Sequence, residues 1–291
     1  MPKLLSWIPP SSAKFIYSVI LKPKYLRILT HAIVRGLIPK KIHYRGVDLV
    51  LNQTDPVLCG AIALGCYDWA DVDTFEQILR PGMCVIDVGA NIGIYTAVAA
   101  LKVGQKGHVI SIEPNPDIAR FIGETIHANN FQNVRIFNVA LSNVTGSGKL
   151  FIANENAGDS RIFECEDKRQ IITIRTTTLD DLIEKEAIPP IDVIKMDIQG
   201  AEAIALEGME KTLAKNSNIR ILMEFWPYGI RRSGHDPAKM ISGLWDLGFS
   251  IYEINRNSGE ATLVTNADKL TSMKLFRQDA TILVQKNNNI R

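Results

Sequence analysis

The chain alternates short apolar runs with longer segments in which hydrophobic residues recur every three or four positions. Short apolar runs are typical of strands buried on both faces, and the longer segments are typical of helices with one apolar side. Their alternation predicts a mostly parallel sheet with helices on both faces. The predicted strands are 84–88, 109–113, 134–141, 150–153, 171–178, 192–196, 219–225, 249–254 and 280–285. The predicted helices are 94–103, 116–129, 179–186, 201–214 and 237–247.

The turn signal Pro81-Gly82 precedes the first predicted strand of the sheet. We therefore predict a mostly helical N-terminal extension over residues 1–70, a sheet domain over 71–286 and a frayed tail over 287–291. The length of 291 residues and the hydrophobic share of 46% suit one large domain with an extension. No apolar run reaches the roughly 18–20 residues that a membrane span needs.

The net charge of +2 hides an asymmetry between the two parts of the chain. Residues 1–50 contain nine Lys or Arg and one acid, so they carry +8, and the rest carries −6. Because these bases interleave with apolar residues, we expect the extension to pack on the main domain. Peripheral membrane contact, a homodimer through the extension and nucleic-acid contact are the alternatives left open, the last being the least favoured. The four cysteines lack C-x-x-C spacing and predict reduced thiols in a cytoplasmic protein.

A glycine-rich turn follows the strand at 84–88, in the order Asp87-Val88-Gly89-Ala90-Asn91-Ile92-Gly93. Such a turn lets a ligand approach the backbone, and the helix behind it offers free N–H groups. The spacing lacks the middle glycine of a dinucleotide fingerprint, and Asp87 would repel a pyrophosphate. The turn therefore favours S-adenosylmethionine, whose ammonium Asp87 would attract. Glu113, at the tip of the next strand, is expected to accept hydrogen bonds from the ribose hydroxyls.

The predicted cofactor-binding residues lie after the first four parallel strands. They are Asp87, Gly89, Ala90, Asn91, Gly93, Tyr95, Thr96, Glu113, Pro114, Asn115, Asn138, Ala140 and Asp197.

Four segments in a fixed order resemble the FkbM family of methyltransferases: the turn at 87–93, Ile112-Glu113-Pro114, Thr178-Leu179-Asp180 and the run at 194–202. The resemblance extends from about residue 55 to residue 254. It implies an α/β class I methyltransferase fold: a Rossmann-like, doubly wound, seven-stranded sheet whose last strand is antiparallel. It also implies methyl transfer from S-adenosylmethionine to a hydroxyl of a sugar, glycan or secondary metabolite. Families of this kind usually have Glu where this chain has Gln199, which leaves the role of that position open.

Methylation of a hydroxyl needs a base or a metal, because a neutral alcohol is a poor nucleophile. Asp197 and Glu224 end the fourth and fifth parallel strands, and Glu202 begins the helix between them, so we expect the three acids to converge on the acceptor. Asp197 and Glu224 are also the candidate ligands for a divalent cation such as Mg²⁺. His235 is a further candidate base.

A polar insert over 154–161 is predicted to reach over the sheet edge as an acceptor-side loop. By resemblance, its Asn156 and Gly158 match an Asn-x-Gly feature of the family. The predicted acceptor contacts are Asn156, Gly158, Tyr67, Trp69 and Trp226.

Three other functions are weighed against an O-methyltransferase. An RNA or other macromolecule methyltransferase is disfavoured, because Asp197-Ile198-Gln199-Gly200 replaces the Asn/Asp-Pro-Pro-aromatic sequence of amino-group enzymes. A non-catalytic cofactor-binding module is the second alternative, since the Gln199 departure leaves turnover unproven. An NAD-dependent oxidoreductase is disfavoured by the glycine spacing.

Overall fold

The structure is a computed structural model that describes residues 24–65, 67, 69–153, 156–164, 167–256, 258–273 and 278–286. The predicted amphipathic stretch before residue 24, the tail at 287–291 and two of the cysteines, Cys66 and Cys165, lie outside the described residues. Cys59 and Cys84 are buried free thiols, as the sequence predicts. No described helix combines the length and apolarity that crossing a membrane requires.

The described residues before the main sheet form helices and one hairpin. In chain order they are α1 (Lys24–Leu37), β1 (Lys41–Tyr44), β2 (Val47–Val50), α2 (Leu58–Ala63) and α3 (Ala70–Ile78). The hairpin is absent from the predicted elements because its four-residue strands are too short for a clear alternation. The Asn129 side chain accepts a hydrogen bond from Asp48 N and donates one to Asp48 O, both at 2.8 Å. The hairpin is thereby tied to the sheet domain, and the boundary at residue 70 stays a prediction.

The strands of the sheet domain form two sheets. In chain order they are β3 (Cys84–Val88), β4 (His108–Ile112), β5 (Val134–Phe137), β6 (Ala140–Leu141), β7 (Gly146–Ile152), β8 (Gln170–Thr177), β9 (Val193–Met196), β10 (Arg220–Phe225), β11 (Phe249–Ile254), β12 (Ala261–Leu263) and β13 (Ala280–Lys286). The main sheet has the order β12-β11-β13-β10-β9-β3-β4-β5. Strands β5, β4, β3, β9 and β10 are parallel, and β13 is antiparallel to both β10 and β11.

This arrangement confirms the predicted fold, a seven-stranded sheet whose last strand is antiparallel, and adds β12 as an eighth strand at the edge. β12 is three exposed residues long, so no apolar run announces it in the sequence. The predicted strand 134–141 is two strands, because the chain leaves the main sheet after Phe137 and Ala140–Leu141 pairs with β8 instead. β6, β8 and β7 make a separate three-stranded sheet.

Helices cover both faces of the main sheet. They are α4 (Ile94–Val103), α5 (Pro116–Ala128), α6 (Leu179–Glu186), α7 (Glu202–Glu207), α8 (Glu210–Lys215), α9 (Pro227–Arg232), α10 (Pro237–Asp246) and α11 (Asp268–Thr271). The alternation along β3 divides the core in two: Ile86 and Val88 face one hydrophobic cluster, and Val85 faces the other.

The predicted helix 201–214 is wrong as a single element. It is broken at Gly208, where a Cβ atom would lie 2.0 Å from the Ser142 backbone oxygen. The second half begins with its own cap, since the Asp180 carboxylate accepts hydrogen bonds from Lys211 N and Thr212 N at 2.9 Å. Tertiary contacts therefore override a continuous helical pattern here.

Candidate active site

An open cavity of about 550 Å³ lies at the carboxyl ends of β3, β4 and β9. Ligands of doubly wound sheets bind at this edge. Seven of the predicted site residues border the cavity: Gly89, Asn91, Glu113, Pro114, Ala140, Gly158 and Asp197. The sequence therefore brings together residues from five separate segments of the chain.

The glycine turn borders the cavity through Gly89 and Asn91. Gly89 has φ 76°, and a Cβ atom there would lie 2.1 Å from the Asp197 backbone oxygen. Only glycine allows the turns after β3 and β9 to approach so closely. Asn91 is also left-handed, with φ 51°, and its buried Oδ1 has no hydrogen-bond partner within the protein. A buried polar atom beside a cavity, together with the start of α4, suits a polar ligand.

Glu113 joins the glycine turn to the end of β4. Its Oε2 accepts a hydrogen bond from Asn91 N and its Oε1 accepts one from Asn115 N, both at 2.9 Å. Burial raises the pKa of Glu113 to about 7, against the lowering effect of these two backbone donors. The carboxylate is thus fixed at the cavity wall, where the sequence predicts ribose recognition.

Asp87 lies behind the cavity wall. Its Oδ2 accepts a hydrogen bond from the Thr96 hydroxyl at 2.6 Å, and the same hydroxyl lies 3.0 Å from Ser111 Oγ. Burial raises the pKa of Asp87 to about 6. Asp87 therefore ties β3 to α4, and its predicted contact with a ligand ammonium stays a prediction.

The other predicted cofactor residues that do not border the cavity support it from outside. Tyr95 packs edge-on against Phe75, with ring centroids 5.2 Å apart, and the Lys195 ammonium lies 4.7 Å from the centroid of the Tyr95 ring. Asn138 Nδ2 donates to the Glu113 backbone oxygen at 3.3 Å. The remaining members of this group are Ala90, Gly93, Thr96 and Asn115.

The cavity lining combines polar and apolar side chains. Val139, Leu150 and Ile162 contribute apolar surface, and Glu113 and Asn91 contribute polar groups. A phosphate would be repelled by Glu113 and Asp197, which both border the cavity. Adenine, ribose hydroxyls and a zwitterionic amino acid match this combination, so the residues fit S-adenosylmethionine.

Asp197 and Glu224 meet at the carboxyl edge of β9 and β10, with Gln199 between them. Gln199 Nε2 donates to Asp197 Oδ1 at 2.8 Å and to Glu224 Oε2 at 3.0 Å. Lys195 Nζ lies 3.8 Å from Asp197 Oδ2. Burial, reinforced by the charge of Asp197, raises the pKa of Glu224 well above its ordinary value. The pair is thus unequal, because Glu224 favours its neutral form and Asp197 keeps 40% of its side chain exposed.

Glu202 and His235 do not reach the cavity. Glu202 is fully buried, and its Oε1 accepts hydrogen bonds from Ile198 N at 3.1 Å and Gly200 N at 3.2 Å. Burial raises its pKa to about 7. It holds the turn after β9 instead of facing an acceptor. His235 lines a separate groove and lies 3.3 Å from Glu207 Oε1, so the geometry does not support its predicted role as a base.

The insert forms one wall of the same cavity. Asn156 Oδ1 accepts a hydrogen bond from Gly158 N at 3.1 Å at the start of a short 3₁₀ turn, Ala157–Asp159. The Arg161 guanidinium lies 4.7 Å from the centroid of the Trp226 ring, which is itself buried. Because Gly158 and Glu113 border one cavity, the described part of the insert lies against the predicted cofactor region, and its predicted acceptor contacts stay a prediction.

Tyr67 and Trp69 pack in an aromatic cluster. The Tyr44 and Trp69 rings stack with centroids 3.7 Å apart, and Tyr67 meets Trp69 edge-on at 4.5 Å. Neither residue borders the cavity. Their predicted acceptor contact therefore stays a prediction.

Sequence reasoning did not single out Lys195 or Arg161, two buried cations near the site. Lys195 lies inside the apolar run Val193–Met196, and a charge in such a run is the signal that could have found it. Arg161 carries no comparable signal in the sequence, because its contact with Trp226 joins distant parts of the chain.

A doubly wound sheet whose glycine turn, strand-end carboxylate and partly apolar cavity lining suit S-adenosylmethionine is typical of a Rossmann-like methyltransferase. The sequence profile of the Methyltransferase FkbM domain matches residues 87–251, more than half of the chain. The chain belongs to this family and is an S-adenosylmethionine-dependent methyltransferase. The predicted family, fold, enzyme class and methyl donor are confirmed.

Several curated proteins are similar to the chain. The 2-O-methyltransferase NoeI of Sinorhizobium fredii is 27% identical over 62% of this chain and 67% of its own length. The hexuronic acid methyltransferase AglP of Haloferax volcanii is 29% identical over 44% of this chain and half of its own length. The ribosomal RNA large subunit methyltransferase E of Buchnera aphidicola is 24% identical over 51% of this chain and 68% of its own length.

Solved methyltransferase structures align with lower identity. Fibrillarin of Aeropyrum pernix, solved with bound S-adenosylmethionine, is 12% identical and has a TM-score of 0.42, covering 85% of this chain and 86% of that one. A precorrin-6y C5,15-methyltransferase of Geobacter metallireducens gives 12% identity and a TM-score of 0.42, covering 74% and 87%. The family assignment rests on the sequence match and not on these structures.

Proposed function

We propose that the protein methylates a hydroxyl oxygen of a sugar or glycan acceptor, with Asp197 as the general base. The observation that carries the proposal is the place of Asp197, partly exposed at the end of β9 and bordering the cavity whose other walls suit the methyl donor. Its Oδ1 is held by Gln199, and its Oδ2 is turned toward Lys195 at a distance longer than a hydrogen bond.

S-adenosylmethionine, when bound, supplies a methyl group activated by a sulfonium and departs as S-adenosylhomocysteine. Gly89, Asn91 and Glu113 would hold it, because they border the cavity and supply backbone and polar side-chain groups there. Asp197 takes the acceptor's hydroxyl proton as the oxygen–carbon bond forms, which makes the alcohol a competent nucleophile. The Lys195 ammonium lies 3.8 Å from Asp197 Oδ2 and partly offsets the negative charge of this carboxylate. Burial raises the pKa of Glu224, which disfavours a second negative charge beside the reacting oxygen.

We infer the class of acceptor from the names of two relatives and from the side chains at the carboxyl ends of β9 and β10. Two relatives are named for methylation at a 2-O position and on a hexuronic acid. A hydroxyl-rich acceptor also matches an edge whose side chains are acids, an amide and an ammonium. RNA is the second candidate, because one relative is named for ribosomal RNA, and it forms an arm of the test.

Mg²⁺ does not fit the two carboxylates as they stand. Within the described residues there is no group of three or more His, Cys, Asp or Glu side chains that could hold a metal ion. The space between Asp197 and Glu224 is taken by an amide nitrogen, which donates and does not coordinate. No step of the proposed reaction is therefore routed through a metal.

The test is transfer of a radiolabelled methyl group to a panel of oligosaccharides, glycosyl lipids and transcribed RNA. We expect label in a sugar-containing acceptor, and Asp197→Asn should lower kcat by at least about a hundredfold while the affinity for S-adenosylhomocysteine stays within a few-fold. Asp246→Asn, an exchange of the same type on the distant helix α10, serves as the matched control and should be silent. Label in RNA alone, or full turnover by Asp197→Asn, would contradict the proposal.

We also propose that the basic extension contacts anionic membrane surfaces from the cytoplasmic side, because residues 1–50 carry +8 interleaved with apolar residues. Full-length protein should co-sediment with vesicles containing phosphatidylserine and not with neutral vesicles. Sedimentation with neither would refute it. A dimer through the extension is tested by the mass of the full-length protein in solution.

A further inference from the structure

Gln199 adopts an unusual backbone conformation at the acid edge, which we define as the carboxyl ends of β9 and β10 with Asp197 and Glu224. It has φ 55°, in the left-handed region that residues other than glycine rarely adopt. The turn around it is fixed from two sides. Glu202 accepts the hydrogen bonds of Ile198 N and Gly200 N, and a Cβ atom at Gly200 would lie 2.5 Å from the Gly229 carbonyl carbon. Residues that their surroundings hold in a strained backbone conformation cluster at functional sites. The conformation of Gln199 therefore directs attention to what its side-chain amide contacts.

The Gln199 amide nitrogen serves two carboxylates at once. One NH₂ group carries two hydrogens, and these two are matched by Asp197 Oδ1 at 2.8 Å and Glu224 Oε2 at 3.0 Å. The reverse orientation would place the amide oxygen against two acceptors, so the neighbours decide which way the amide faces. The bridge joins two acids that lie 27 residues apart in the chain.

The same position is where a divalent cation would lie if the carboxylates shared one. Mg²⁺ binds carboxylate oxygens at about 2.0–2.1 Å and Ca²⁺ at about 2.3–2.6 Å. An amide nitrogen at 2.8 and 3.0 Å fills the gap with two hydrogen-bond donors, and a donating nitrogen does not ligate a cation. A cation could enter only after the Gln199 amide has broken both hydrogen bonds.

We propose that Gln199 is a positioning residue that joins Asp197 to Glu224 in place of a divalent cation, and that methyl transfer by this protein needs no such cation. The inference rests on the proposed function in taking Asp197 as the base. The bridge fixes one oxygen of Asp197 and leaves the other for the acceptor proton. It also implies that Gln199→Glu, which replaces the donor with a third carboxylate, creates a cation site that the natural protein lacks.

The experiment measures Mn²⁺ binding to the full-length protein by electron paramagnetic resonance, so that it needs no acceptor. We expect the natural protein to show no site of submillimolar affinity, and Gln199→Glu to bind one Mn²⁺ at least about tenfold more tightly. The gain should vanish when Asp197→Asn is added to Gln199→Glu. Gln132→Glu adds the same charge at an exposed position and is the matched control.

Two outcomes would overturn the proposal. One is submillimolar Mn²⁺ binding by the natural protein that Asp197→Asn or Glu224→Gln abolishes. The other is a Gln199→Glu variant that binds S-adenosylhomocysteine normally and gains no affinity for Mn²⁺. The first measurement uses only the natural chain, so it decides the matter even if Gln199→Glu fails to fold.

Turnover provides the second readout once an acceptor is in hand. Excess EDTA should leave the rate of the natural protein within about twofold and abolish whatever turnover Gln199→Glu retains. Natural protein that EDTA inactivates and Mg²⁺ restores would overturn the proposal. If no sugar acceptor is found, the proposed function fails while the Mn²⁺ result still decides the role of Gln199.

Discussion

Two regions of the site are built in different ways: the cofactor side, which contains Glu113 and the glycine turn, and the acid edge, which contains Asp197, Gln199 and Glu224. On the cofactor side, Glu113 holds the backbone of Asn91 and Asn115, so a single carboxylate organises two turns through main-chain contacts. At the acid edge, side chains contact side chains, with Gln199 between Asp197 and Glu224. Backbone contacts depend on chain geometry that a short motif encodes, whereas side-chain contacts depend on which residue each distant segment supplies.

This difference bears on chemistry as well as on construction. A wall made of backbone groups depends little on which side chains the turns carry. An edge made of side chains can change by one substitution, such as the exchange of Gln199 for Glu. The cofactor side should therefore respond to mutation with loss of binding, and the acid edge with altered chemistry.

The largest expected effect tests the cofactor side. Gly89→Ala would place a Cβ atom 2.1 Å from the Asp197 backbone oxygen in a residue with φ 76°. We expect the affinity for S-adenosylhomocysteine to fall by more than about a hundredfold in calorimetry. Gly82→Ala is the matched control, because Gly82 has φ 84° and nothing within 4 Å of the added atom. That control should cost only about 1–2 kcal/mol of stability and leave binding intact. Equal effects of the two substitutions would mean that backbone strain alone matters.

The next effect compares the two sides through pH. Burial raises the pKa of Glu113 and of Glu202 to about 7, above the 4.5 that each has in an unfolded chain. The folded protein then binds protons that the unfolded chain has released, so the free energy of unfolding falls as pH rises from about 4.5 to about 7. Urea titrations at pH 5 and 7.5 should differ by on the order of 1–3 kcal/mol per carboxyl.

Glu113→Gln and Glu202→Gln should each flatten that dependence. Glu113→Gln should in addition weaken S-adenosylhomocysteine binding, because only Glu113 borders the cavity. Glu184→Gln, at an exposed position of α6, is the control and should leave the slope unchanged. Stability that rises between pH 5 and 7.5 would show that these carboxyls are not held as described.

The sequence predicts the cofactor side better than the acid edge, because the cofactor side depends on local backbone motifs and the acid edge on contacts between distant side chains. Strand Cys84–Val88 and helix Ile94–Val103 are predicted to the residue, because the glycine turn, the apolar run and the helical spacing are all local signals. Asn115 and Pro116 likewise announce the start of α5. The fold class and the methyl donor follow from these elements.

What the sequence could not supply depends on contacts between distant segments. The helix predicted over 201–214 is broken because Gly208 lies against Ser142, a contact that no local pattern contains. His235 is a reasonable base by residue type, yet the fold pairs it with Glu207 on another surface. The sequence likewise does not predict the hydrogen bond from Gln199 to Glu224, because Gln199 stands out in the sequence only as a position where Glu is usual.

A smaller effect concerns the insert, whose residues Ala157, Gly158 and Ser160 border the cavity. The Arg161 guanidinium lies 4.7 Å from the centroid of the buried Trp226 ring, and Arg161 also pairs with Asp159. Removing a desolvated cation–π contact costs up to about 2 kcal/mol. Arg161→Ala should speed dissociation of S-adenosylhomocysteine several-fold in stopped-flow measurements. Arg120→Ala is the matched control, because Arg120 lies at the same 4.7 Å from Phe121 on α5, away from the cavity. Equal rates of S-adenosylhomocysteine dissociation from the two variants would show that the Arg161 contact does not help to retain the cofactor.

The smallest effect is expected at His235, and it tests whether the acid edge needs any base beyond its carboxylates. His235 contacts Glu207 at 3.3 Å and the Ser233 backbone oxygen at 3.1 Å, in a groove apart from the cavity. His235→Ala should therefore leave kcat within about twofold and lower stability by no more than about 1 kcal/mol, as for other partly exposed ion pairs. The measurement is the pH dependence of kcat for this variant beside the natural protein. Two superimposable profiles are expected, because the imidazole lies in a groove apart from the cavity. A lost limb near the ordinary pKa of histidine would instead bring His235 back as a catalytic group and would require the groove to open toward Asp197.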